Sequence, residues 1–112
     1  MIRLLPCAFI LSAVAALACG KNDIGGIQPG TVFVSARDSF FQPDTIQVKA
    51  GLPVRWTNDG TVGHTVVSDS GLWTSNVMAP AWWFEVRFDS AGTYPYHCSL
   101  HAGMTGTVVV NP

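Results

Sequence analysis

Three side chains that can bind a soft metal ion lie close together near the end of the chain. They are Cys98, His101 and Met104, spaced as C-x-x-H-x-x-M, and they supply a thiolate, an imidazole and a thioether. Thiolate and thioether are soft ligands, and imidazole suits copper well. Zinc sites use thiolate, imidazole and carboxylate ligands but no thioether. The spacing therefore predicts a single copper site, and Gly103 permits the sharp turn that such a loop needs.

A trigonal copper site with two imidazoles, a thiolate and a weak axial thioether needs a second histidine. The chain offers His64 and His97. Because side chains alternate between the two faces of a strand, His97 should point away from a site built on its neighbour Cys98, and we expect it to be exposed. His64 starts a predicted strand after a glycine-rich turn, and a sandwich can bring such a position to the loop. We therefore predict His64 as the fourth ligand.

The segments that must position these ligands have the pattern of short β-strands. Apolar residues recur at strand spacing in seven runs, which are 31–36, 45–49, 53–57, 64–67, 81–88, 93–98 and 105–110. Turns rich in Gly, Pro, Asn and Asp separate the runs. This pattern predicts an all-β, Greek-key β-sandwich of about seven to eight strands. A short helix is conceivable only over 73–80.

With these features together, the chain resembles the cupredoxins, the blue type 1 copper family of plastocyanin and amicyanin. The resemblance covers nearly all of residues 31–112, and the stretches that carry it are F-Q-P at 41–43, I-Q-V at 46–48, V-R-W-T-N at 54–58, H-T-V at 64–66 and the segment 92–106. The short ligand loop is closer to that of amicyanin than to that of plastocyanin. The resemblance implies one copper ion per chain, held by His64, Cys98, His101 and Met104, and one-electron transfer between Cu(II) and Cu(I).

One position departs from the usual family pattern. Thr65 follows the first ligand histidine, where family members often have asparagine. The hydrogen bonds that tie the two ligand segments together must then come from another side chain, and the candidates are Thr65 itself and Asn58. Asn58 is interpreted first as a turn former in N-D-G at 58–60.

The predicted copper site also indicates which surface would contact redox partners. The exposed edge of His101 would pass the electron, and Ala102, Gly103 and residues 78–80 would form an apolar rim for brief docking of redox proteins. We expect the protein to be a monomer. Three tryptophans exceed what one small core needs and are candidates for the copper-end surface, namely Trp73, Trp82 and Trp83.

The composition excludes several other functions. The chain has 112 residues and a formal net charge of −1, which allows one domain and gives no basic surface for nucleic acid. Three histidines are too few for the clusters of a multicopper oxidase, and a loop with one cysteine cannot form a binuclear electron-transfer site. We therefore predict no enzyme. A copper carrier or storage protein is the main alternative, although Met78 is the only spare methionine, and a metal-free structural sandwich is another.

Residues 1–18 have the pattern of an export signal. Arg3 precedes an uncharged apolar run that ends in A-L-A at 16–18, and the run is short for a membrane span. Cleavage after residue 18 would leave Cys19 at the N-terminus, and L-A-C-G at 17–20 resembles a bacterial lipoprotein signal. We expect a lipid on Cys19, with ordinary cleavage or a Cys19–Cys98 disulfide as alternatives.

The domain organisation follows from that signal. Residues 19–30 are rich in glycine and polar residues and predict a flexible tether, and residues 31–112 form the predicted domain. The protein would then lie in the periplasm or on another extracytoplasmic face of a bacterial membrane, attached only through the lipid.

Overall fold

The computed structural model describes residues 27–112, so the predicted signal, the lipidation site and most of the tether lie outside the described residues. Eight strands form in the described part, and they are β1 (Val32–Arg37), β2 (Phe40–Gln42), β3 (Thr45–Lys49), β4 (Leu52–Asn58), β5 (Val67–Ser68), β6 (Trp83–Phe88), β7 (Gly92–His97) and β8 (Thr105–Asn111). Residues 27–112 contain no helix. Nothing in this part of the chain could therefore span a membrane as a helix.

The strands make two four-stranded sheets that pack face to face. The first sheet has the order β2-β1-β4-β6 and the second the order β3-β8-β7-β5. β1 pairs in parallel with β4, with Val34 opposite Trp56, and β3 pairs in parallel with β8, with Ile46 opposite Val108. The other strand pairs are antiparallel. The chain crosses repeatedly between the sheets, and the predicted all-β sandwich is confirmed.

The core lies between the sheets because each strand buries the apolar residues of one face. Its centre is aromatic: the rings of Trp56 and Tyr96 are fully buried and meet edge to face, with centroids 5.2 Å apart. Burying one such side chain stabilises the fold by about 4–6 kcal/mol before the entropy cost, from its area and the usual transfer coefficient. Burial also raises the pKa of Tyr96 to about 12, so its ring stays neutral. Tyr96 lies two residues before Cys98 on the same strand face, and the core therefore fixes the direction of Cys98.

Three elements differ from the predicted ones. Strand β2 was not predicted, because three residues are too few for an alternating pattern to be recognised. The predicted strand over 64–67 is reduced to β5 at Val67–Ser68, and His64 is held instead by an isolated bridge to Met78. Residues 73–80 form no helix, because bridges at Thr74 and Met78 hold this segment extended.

Gly106 should be essential for the core around Tyr96. The two residues are cross-strand partners, and a Cβ at position 106 would overlap the ring and hydroxyl of Tyr96. We expect Gly106→Ala to destabilise the fold by about 1–3 kcal/mol, the usual cost of overpacking. Urea unfolding of the copper-free protein measures the change. Thr105→Ala, at an exposed position of the same strand, is the matched control and should shift stability by no more than about 0.5 kcal/mol. Equal stabilities of the two variants would contradict the packing argument.

Candidate metal centre

The loop between β7 and β8 is closed by its own backbone. The Cys98 amide donates to the Met104 carbonyl at 2.9 Å, and the Met104 amide donates to the His101 carbonyl at 3.2 Å. Cys98 and Met104 are buried at the two ends of this loop, and His101 is half-buried between them. Gly103 adopts φ +80°, a left-handed conformation that side chains rarely take, so it makes the turn that the sequence predicted for it.

His64 reaches the loop from the other side of the site. Its backbone pairs with Met78 in both directions, through N–H to O contacts of 3.2 and 2.8 Å, and its side chain is fully buried. Its Nδ1 lies 4.0 Å from the Cys98 Sγ, and the His101 Nδ1 lies 3.4 Å from the same sulfur. The ligand atoms of these three residues all lie within 4.8 Å of one another. The structure therefore brings His64, which is distant in sequence, to the loop ligands Cys98 and His101, with Met104 on the same loop.

The chemistry of this cluster fits copper. Its members are two imidazoles and one thiol, with no carboxylate among them, and a methionine is buried on the same loop. Imidazole, thiolate and thioether form the donor set that copper electron-transfer sites use.

The Cys98 thiol is set up to ionise. Burial raises its pKa, but hydrogen bonds from the Thr65 amide, His101 and the Leu100 amide outweigh burial and lower the pKa from its ordinary value of 9.0 to about 6. At neutral pH the sulfur is therefore mainly a thiolate, which is the form that binds a metal.

Thr65 takes the position where the family often has asparagine, and it joins the two ligand segments. Its amide donates to the Cys98 Sγ at 3.4 Å, and its hydroxyl lies 3.7 Å from the same sulfur. The hydroxyl also accepts the Ser99 amide at 2.7 Å. Of the two candidates named from the sequence, Thr65 therefore makes the direct link to the cysteine.

Asn58 does more than form a turn. Its Oδ1 accepts the Gly60 amide at 2.8 Å, as expected for a turn, but its Nδ2 also donates to the carbonyls of Val62 and Met78, both at 2.8 Å. Asn58 is 1% exposed. It therefore forms the predicted turn and also fixes the bridge partner of His64, a contact that could not be predicted because the burial of Asn58 cannot be seen in the sequence.

Asp38 was not found by the sequence analysis. Its Oδ1 lies 3.1 Å from the Nε2 of His64, on the side of the ring opposite Nδ1. Hydrogen bonds from the side chain and amide of Thr61, with that from His64, hold the pKa of Asp38 well below its usual range. Asp38 precedes His64 by 26 residues and lies in a turn, so no local spacing signals the contact.

The structure also places the other residues that the sequence analysis singled out. His97 points away from the cluster, as predicted, and its Nδ1 contacts the Asp69 carboxylate at 2.5 Å. Met78 is 3% exposed, so its predicted place in an apolar rim was wrong: its backbone is needed to hold His64, and its side chain packs in the core. Ala102 and Gly103 are exposed on the ligand loop, and Ala79 and Pro80, which follow the bridge at Met78, are exposed as well. Trp82 and Trp83 are also exposed, whereas Trp73 packs against the core.

Comparisons with known proteins agree with this geometry. A family model described as a cupredoxin-like domain matches residues 8–110. Amicyanin-alpha of Methylorubrum extorquens is 34% identical over 105 residues, which cover 88% of this chain and 88% of the amicyanin. A plastocyanin of Scenedesmus fuscus is 35% identical over 83 residues, covering 62% of this chain and 85% of the plastocyanin.

Solved structures are similar as well. A reduced Cu(I) form of an amicyanin mutant at pH 4 superposes with a TM-score of 0.70 at 30% identity, covering 76% of this chain and 86% of the amicyanin. The copper prediction from the sequence is thus confirmed at the level of the family and of the donor set. The chain belongs to the cupredoxin family, and copper is its cofactor.

Proposed function

We propose that the protein is a one-electron carrier with a mononuclear blue copper site formed by His64, Cys98, His101 and Met104. The observation that carries the proposal is the convergence of the Cys98 sulfur and two imidazole nitrogens within 4.8 Å. The resemblance to plastocyanin and amicyanin supports the same activity. No separate substrate site is needed, because the metal itself would be the electron acceptor and donor.

Copper, when bound, supplies a centre that gains and loses one electron. The chain's own residues keep that centre in one geometry. His64 is held through its backbone, and Cys98 is held by Thr65 and by the closed loop. Buried ligands exclude water from most of the site. Because these side chains have little freedom to move, little rearrangement accompanies a change of charge, and electron transfer is fast.

His101 is the proposed point of entry and exit for the electron. Unlike His64 it is only half-buried, and Leu100, Ala102 and Gly103 beside it are exposed. A small apolar surface around a partly exposed ligand suits brief docking of a redox protein. We propose that these partners are extracytoplasmic and that the protein acts as a monomer. The export pattern of residues 1–18 supports that location, and the lipoprotein-like L-A-C-G at 17–20 supports a lipid on Cys19.

A copper carrier or storage protein is a weaker candidate. Such a protein would use accessible donors for metal transfer, but Met78 is buried in the core and His64 is fully enclosed. Rapid loss of copper to a chelator on reduction would favour this alternative over electron transfer.

The ligand assignment is tested by the spectrum of the copper-loaded protein. We expect an intense visible band and the EPR spectrum of a blue copper site, since both depend on a copper–thiolate bond. Cys98→Ser should abolish the band while circular dichroism shows an intact sandwich. His97→Ala is the matched control, because its side chain faces away from the cluster and contacts Asp69, and it should keep the band. A visible band that persists in Cys98→Ser would refute the assignment.

The ionisation of Cys98 is tested without metal. In the copper-free protein, ultraviolet thiolate absorbance should rise with a midpoint at about pH 6. The folded pKa is below the unfolded value of 9.0, so ionisation stabilises the fold fully above pH 9.0, and this contribution is lost as the pH falls through 6. Urea unfolding between these pH values should show the loss, and Cys98→Ser should not. A thiol that titrates near its unfolded value would contradict the hydrogen-bonding argument.

The docking surface is tested by electron self-exchange, which needs no identified partner. Leu100→Asp puts a charge on the 51%-exposed leucine beside His101, and two molecules that meet through this surface would then repel each other. We expect the self-exchange rate to fall about tenfold at low ionic strength and to recover partly in salt. Leu72→Asp is the control, because Leu72 is 63% exposed but lies beside Phe88 and Ser90, at the far end of β7 from Cys98. Equal slowing by both substitutions would exclude the His101 surface.

A further inference from the structure

We propose that Asp38 is a positioning residue that fixes the tautomer of His64 and favours the oxidised state of the site. This inference rests on the proposed electron-carrier function. It concerns a side chain outside the predicted ligand set, in the turn between β1 and β2.

The contact defines which nitrogen of His64 carries the proton. Nε2 lies 3.1 Å from the Asp38 Oδ1, and a carboxylate can only accept, so the ring must donate from Nε2. Nδ1 is then left with its lone pair, and it is Nδ1 that faces the Cys98 sulfur. The neutral imidazole is thereby held in the form that binds a metal. His64 has no exposed surface, so water does not compete for this hydrogen bond.

Asp38 is itself fixed by its surroundings. The Thr61 amide donates to both of its carboxylate oxygens, at 2.9 and 3.1 Å, and the Thr61 hydroxyl donates to Oδ2 at 2.5 Å. Gly60 lies directly over the contact. A Cβ there would overlap the Asp38 carboxylate and lie 3.0 Å from the His64 Nε2. The turn at 60–61 is therefore shaped around the Asp38–His64 pair.

The negative charge of Asp38 affects the equilibrium between Cu(II) and Cu(I). Both of its oxygens accept hydrogen bonds from Thr61, and one also accepts from His64, as expected of a carboxylate, which has no proton to donate. A negative charge in contact with a ligand ring stabilises the more positive Cu(II) state over Cu(I). Since 43% of the Asp38 side chain is exposed, solvent screens part of this effect but does not remove it.

The experiment separates charge from hydrogen bonding. Asp38→Asn keeps an acceptor for His64 but removes the charge. We expect the ratio of Cu(II) to Cu(I) affinity to fall about tenfold, which raises the midpoint potential by about 59 mV for a one-electron couple. Asp59→Asn is the matched control: Asp59 directly precedes the turn at 60–61 that contacts Asp38, accepts the Ser35 hydroxyl at 2.5 Å and has no hydrogen bond to His64. An unchanged potential in Asp38→Asn, or an equal shift in Asp59→Asn, would overturn the proposal.

A second readout uses the copper-free protein. Long-range ¹H–¹⁵N NMR at neutral ring charge should show the Nε2–H tautomer of His64 in the wild type and in Asp38→Asn, and a mixture of tautomers in Asp38→Ala. The Nδ1–H tautomer in the wild type, or a single unchanged tautomer in Asp38→Ala, would overturn it. A wild-type protein that binds copper without a blue band would instead refute the proposed function. The two failures are thus distinguishable.

Discussion

The hydrogen bond from the Thr65 amide to the Cys98 sulfur joins the two halves of the site. The two residues are 33 positions apart, and the rest of the centre is arranged around the atom that they share. This bond helps to keep the sulfur ionised despite its burial, and it sets the distance between the segment that carries His64 and the loop that carries His101. The Thr65 hydroxyl adds a second link between the two segments, because it accepts the Ser99 amide. Without these contacts, the buried thiolate would lose hydrogen bonds that offset the cost of its burial.

The aromatic core gives this arrangement a rigid base. Tyr96 packs between Phe41, at a centroid distance of 4.8 Å, and Trp56, at 5.2 Å, so β7 cannot shift without disturbing both sheets. Cys98 lies two residues after Tyr96 on the same strand face, so this packing also holds the ligand sulfur in place. The second anchor is Asn58 at the end of β4, which reaches the Met78 carbonyl and so holds the bridge to His64. One ligand segment is thus fixed by apolar packing and the other by buried hydrogen bonds.

The sequence predicted the parts of the structure that depend on local spacing. Cys98, His101 and Met104 lie on one short loop, and alternation of apolar residues located most strands, so both could be recognised without a structure. The supporting contacts could not. Asp38 and Asn58 act on His64 or its bridge across turns, and whether a polar residue in a turn is exposed or buried depends on the tertiary fold. The burial of Met78 and the three-residue strand β2 are likewise decided by neighbours that are distant along the chain.

The position of Asp38 lets the redox potential change without a change in the stability of the fold, two properties that a small protein must otherwise adjust together. The Asp38 side chain is 43% exposed, yet it contacts a ring that is fully buried. Exchange of that one carboxylate for a neutral group that still accepts from His64 need not repack the interior or change which nitrogen faces the site. Descendants of this chain could therefore match new electron donors and acceptors by drift at a surface turn, while selection on folding continues to act elsewhere.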